Sequence, residues 1–69
     1  MKEREWVIVV NQLEDFERAL QVIPFLKLGS QVSDHPSCAC KGEWENADEL
    51  LQVLYQNSVD VVSVQERQG

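Results

Sequence analysis

The sequence predicts an α+β fold in which strands and helices follow one another as β-α-β-β-α-β. Three observations carry this. Trp6–Val10 is an unbroken apolar run with four β-branched residues, the pattern of a strand covered on both faces rather than wetted on alternate positions. Two segments open with an N-capping residue and a Glu three positions later, then repeat apolar residues at helical spacing. Between and after them lie short runs with a period of two.

Met1–Glu5 mixes charges and is expected to be a frayed lead-in to the first strand. Asn11 is a good N-cap, Glu14 completes a capping box, and Leu13, Phe16, Leu20 and Ile23 form one stripe, so a helix is predicted over about residues 12–23, stopped by Pro24. Phe25–Val32 alternates, with Leu26, Leu28 and Val32 on one side and Lys27, Gly29 and Gln31 on the other, as a half-exposed edge strand does. Ser33-Asp34-His35-Pro36 is turn chemistry. Ser37–Lys41 returns as a third strand with Cys38 and Cys40 facing one way and Ala39 and Lys41 the other; its small residues suit a central position.

Gly42–Glu45 leads into the second helix. Asn46 is its N-cap, Glu49 closes a capping box, and Ala47, Leu50, Leu51 and Leu54 form its stripe, with Trp44 packing back on the first turn. Asn57 is the expected left-handed terminator. Val59–Val64 is a last strand whose broken alternation indicates a bulge, and Gln65–Gly69 reads as a polar tail. This order resembles the ferredoxin-like, split βαβ arrangement: a four-stranded antiparallel sheet, spatial order 4-1-3-2, with two helices on one face and the first strand in the middle. The other face is left to solvent or to a partner.

Sixty-nine residues make one small domain, 1–69, and a chain of this size buries about 60% of its unfolded surface. Its apolar content of 43% and two Trp argue for a packed core rather than disorder. Twelve acidic against six basic residues give a net charge of −6, which opposes direct binding to nucleic acid. No run approaches a membrane span or the apolar stretch of a signal peptide, so a cytoplasmic location is expected. Cys38 and Cys40 are one residue apart, where a bridge would be strained, and fit a reducing compartment.

His35, Cys38 and Cys40 are the candidate metal ligands, with Asp34 beside them. Zinc sites wrap the chain around the ion with Cys-x2–4-Cys spacing, and Cys-x-Cys on a strand does this poorly, so buried cysteines and a turn histidine are expected, with no cofactor. No nucleophile, base and orienting group converge in sequence, and the chain is expected not to be an enzyme. Ferredoxin-like domains that bind RNA stack bases on aromatics of the first and third strands, and Ser37–Lys41 has none. Metal-transport domains of this layout place Cys-x-x-Cys after the first strand, where this chain has Asn11-Gln12-Leu13. The glycine usual there in amino-acid-binding regulatory domains is absent too.

The carboxylates are the remaining signal. The predicted topology starts the two helices at opposite ends of the molecule. Glu14, Asp15 and Glu17 meet Asp34 and Asp60 at one end, with Arg18 the basic residue near them. Glu43, Glu45, Asp48 and Glu49 lie at the other, near Glu3, Glu5 and Glu66 and partly offset by Lys2, Arg4, Lys41 and Arg67, so the first end is expected to be the more purely negative. Acidic residues in a first turn also favour the helix dipole, by roughly 0.3–1 kcal/mol each. Glu14, Asp15, Glu17, Asp34, Asp60, Glu43, Glu45, Asp48 and Glu49 are the nine candidate contacts of a noncatalytic inhibitor or regulator, monomeric or homodimeric, that docks on a basic surface of a nucleic-acid-handling protein as a nucleic-acid mimic. In size and acidity the chain resembles phage-encoded anti-defence proteins, some anti-CRISPR proteins among them. The alternative is a ligand- or metal-binding regulatory module, dimeric through the open sheet face. A third possibility is peptide pairing along an edge strand.

Overall fold

The computed structural model describes residues 3–67. Its elements are β1 (Arg4–Val10), α1 (Leu13–Val22), β2 (Lys27–Leu28), β3 (Ser37–Gly42), α2 (Ala47–Gln56) and β4 (Val61–Arg67). The sheet order is β2-β3-β1-β4, antiparallel throughout, with β1 central as the apolar run requires.

Alternation along β1 sends Trp6, Ile8 and Val10 to one face, where none keeps any exposed surface. They share one core with Cys38 and Cys40 of β3, Ala19 of α1, Leu50 and Leu54 of α2, and the flanking Ile23, Leu26 and Val59. Both helices therefore cover the same face. On the opposite face Val9 lies between Ser37 and Ser63 of the neighbouring strands and keeps only 7% of its exposure, although no second layer covers it; Val7 is half-buried.

Several predicted boundaries move, each for a local reason. β1 begins at Arg4, which pairs across the sheet with Gly42 and reaches the carboxylate of Glu66 at 3.6 Å. The α1 cap is Gln12, not Asn11: the residue three positions on whose carboxylate takes the cap N–H is Asp15, not Glu14. Of the predicted stripe Leu13 is 55% exposed, Phe16 and Leu20 pack against the core and Ile23 is buried in it, with Ala19 beside them. The edge strand predicted over Phe25–Val32 shrinks to the two residues of β2. Val32 and His35 instead exchange backbone hydrogen bonds of 2.8 and 2.9 Å, closing a tight hairpin whose Ser33 and Asp34 adopt the left-handed conformation. Leu28 and Val32 are consequently exposed.

At the end of α2 the left-handed residue is Ser58 (φ 63°), one beyond Asn57 (φ −108°). Ser58 N–H donates to Tyr55 and Val59 N–H to Leu54, each at 3.1 Å, and buried Val59 packs in the same cluster as Leu54, the full Schellman pattern. β4 runs on through Gln65–Arg67, in place of the expected tail, because Arg67 pairs with Glu5. Its bulge is real: Val9 faces Ser63 but Val10 faces Val61, leaving Val62 as the extra residue. Met1, Lys2, Gln68 and Gly69 lie outside the described residues. Among those described, no helix is long and apolar enough to cross a membrane.

Candidate functional site

The end of β1 gathers what the topology predicts. Asn11 N–H donates to the Asp60 carbonyl at 3.0 Å, Val10 N–H to the Pro36 carbonyl at 3.0 Å, and His35 Nδ1 to the Asn11 carbonyl at 3.1 Å. The start of α1, the hairpin carrying Asp34 and the lead-in to β4 are thus one unit.

Within it the carboxylates divide. Asp15 is only 4% exposed: Oδ2 accepts Gln12 N–H at 3.0 Å, and Oδ1 accepts Asp60 N–H at 3.0 Å and an Arg18 N–H at 3.1 Å. Its charge serves the fold, and Arg18 covers what remains. Glu14 is exposed and shares the same arginine at 3.6 Å. Glu17, Asp34 and Asp60 are exposed and have no ion-pair partner among the described residues.

At the other end the basic residues take particular partners. Arg4 pairs with Glu66 and donates to the backbone carbonyl of Glu45, while Arg67 pairs with Glu5 at 3.3 Å. These arginines thus neutralise strand carboxylates and leave Glu43, Glu45, Asp48 and Glu49 exposed and without ion pairs among the described residues. Glu49 accepts Glu45 N–H at 3.3 Å while its own N–H caps on Asn46 Oδ1 at 2.9 Å. The α2 end thus keeps four carboxylates without ion pairs among the described residues, with the exposed Lys41 beside Gly42 and Glu43 as its unpaired cation among those residues. The helix dipole contributes to holding Asp48 and Glu49 there, both lying in the first turn.

The candidate metal ligands are not brought together. Cys38 and Cys40 point into the core, and Cys38 Sγ–H donates to the Ile8 carbonyl at 3.3 Å. Burial pushes both thiols up to about 11, with the charge of Cys40 adding to the shift at Cys38. Among the described residues no three His, Cys, Asp or Glu side chains are placed to hold an ion.

Sequence patterns alone missed a groove of about 330 Å³ on the sheet face without helices, lined by Glu5, Phe25, Lys27, Ala39, Cys40 and Lys41. The signal for it was parity. Lys27 alternates with core-facing Leu26, and Lys41 with core-facing Cys40, so both lysines point away from the helices; that they share a groove follows only from the pairing of Lys27 with Ala39.

In comparisons with known proteins, the chain matches no family model, no curated protein and no solved structure.

Proposed function

We propose that this domain is a small noncatalytic inhibitor or regulator that docks its acidic ends on a basic, nucleic-acid-binding protein surface, in the manner of a nucleic-acid mimic. One observation carries the reading. Of the nine candidate carboxylates, Glu17, Asp34, Asp60, Glu43, Glu45, Asp48 and Glu49 are all exposed without an ion-pair partner among the described residues. Charges left unpaired on a chain of net −6 raise the local potential that steers a basic partner and sets the rate of encounter. Asp15 drops out of the contact set, being buried, and Glu14 is shared with Arg18.

The test is a pull-down from host extract at about 50 mM salt, followed by binding measurements on the captured partner and competition by DNA. Association is expected to weaken steeply as salt rises to about 500 mM, and DNA is expected to compete. Triple reversal of Glu43, Glu45 and Asp48 to Lys, or of Glu17, Asp34 and Asp60 to Lys, identifies the docking end. Binding that ignores salt, or that survives both reversals, sinks the proposal.

A further inference from the structure

The basic side chains among the described residues fall into two groups. Arg4, Arg18 and Arg67 each hold a carboxylate within 3.6 Å. Lys27 and Lys41 hold none among the described residues, and both line the groove on the open sheet face. Because Lys27 pairs with Ala39, Lys41 is its diagonal cross-strand neighbour, a spacing of about 7–8 Å. Two like charges carried on such neighbouring positions of one face repel, and an anion between them relieves that repulsion. The one carboxylate lining the groove, Glu5, stands opposite Lys41 in the β1–β3 ladder, but its ion pair is with Arg67 at 3.3 Å. Phe25, 56% exposed, stands beside the lysines and offers a bare ring.

We infer that this groove binds a small aromatic anion, a ring carrying a phosphate or carboxylate, whose oxygens accept from Lys27 and Lys41 while its ring packs on Phe25. About 330 Å³ lies at the small end of ligand pockets and admits one compact ring system with its charged group. Charges more than a Debye length of about 8 Å away are largely screened at physiological salt, and of the charges lining the groove only the two lysines lack an ion-pair partner among the described residues, so the opposition comes from the nearby Glu43. The site lies on the opposite face from the helices and does not depend on the docking role of the acidic ends.

The experiment is a residue-resolved NMR titration of the whole domain with phenyl phosphate, benzoate and inorganic phosphate. Saturable shifts are expected at Phe25, Lys27, Ala39 and Lys41 with at least one aromatic probe, and inorganic phosphate is expected to bind about tenfold more weakly for want of a ring. Lys27→Gln and Lys41→Gln should each weaken binding by about tenfold, and Phe25→Ala should reduce the aromatic probes to the level of inorganic phosphate. All three side chains are exposed, so the variants should keep the native spectrum, which the same experiment verifies. The inference is overturned by absent saturation, by shifts mapping elsewhere, by lysine variants that bind unchanged, or by inorganic phosphate binding as tightly as the rings. Concentration-dependent broadening of this face without any probe would assign it to a second copy and overturn it equally.

Discussion

Asp15 and Asp60 stand 45 residues apart in the chain, yet the backbone N–H of Asp60 donates to Oδ1 of Asp15 over 3.0 Å. One buried carboxylate thus ties the first turn of α1 to the lead-in of β4, while its second oxygen caps the helix at Gln12.

Asp15→Ala is expected to destabilise the domain by about 2–3 kcal/mol, since it removes a cap and leaves a part-buried N–H unpaired. Asn11→Ala, at the position the local pattern marks as the cap, should cost under about 0.5 kcal/mol. Urea unfolding midpoints of the two variants decide this; equal losses would remove Asp15 from its role.

That pair also marks how far the sequence reaches. Asn11-x-x-Glu14 and Gln12-x-x-Asp15 have the same spacing, and capping preference favours the first. What selects the second is a backbone N–H delivered by Asp60 in the lead-in to β4, which no local pattern contains. The same limit explains β2, where Leu28 and Val32 alternate properly for a long strand but the Val32–His35 hairpin takes the chain away from β3. Element order and the central place of β1 were legible because Trp6, Ile8 and Val10 needed no partner identity to declare their burial. The acidic residues were legible as charges, but which of them remain unpaired depended on where Arg4, Arg18 and Arg67 landed.

Gly42 is held to its lack of a side chain. A Cβ there would lie 2.1 Å from the ring of Trp44, which meets Trp6 edge-on at 6.4 Å and 82°, while Trp6 Nε1–H donates to the Gly42 carbonyl at 3.3 Å. Gly42→Ala should expel the Trp44 ring and cost about 1–3 kcal/mol, with loss of near-ultraviolet dichroism. In a Trp44→Ala background the same change should cost far less; an unchanged penalty there would place the conflict elsewhere.

Ser58 holds a left-handed backbone without being glycine. Ser58→Gly is expected to raise stability by about 0.5–1 kcal/mol, because the Schellman turn keeps its hydrogen bonds and loses its steric penalty. Asn57→Gly, one residue earlier at a negative φ and with loss of the 2.8 Å bond from its amide to the Val53 carbonyl, should destabilise instead. Thermal midpoints moving the same way in both variants would contradict this.

The two thiols set an alkaline limit. In the folded chain they ionise near 11 against an ordinary 9.0, so between those values the unfolded state gives up protons that the native state retains. Their stabilising contribution is complete below about pH 9 and is lost as pH rises toward 11. Unfolding midpoints measured from pH 8 to pH 11 should fall more steeply for the native chain than for the Cys38→Ala, Cys40→Ala variant. Parallel curves would mean the thiols are not protected. At neutral pH both cysteines should react with a thiol reagent only as fast as the domain opens.

β4 is an outer strand of seven residues, long enough to serve as a template for a stranger's backbone. The bulge at Val62 interrupts that template near its beginning, so a straight strand laid alongside can match the ladder on one side of Val62 but not continue across it. The bulge thereby divides the bare sheet margin into two shorter ladders, neither of which offers another backbone the full seven residues of β4.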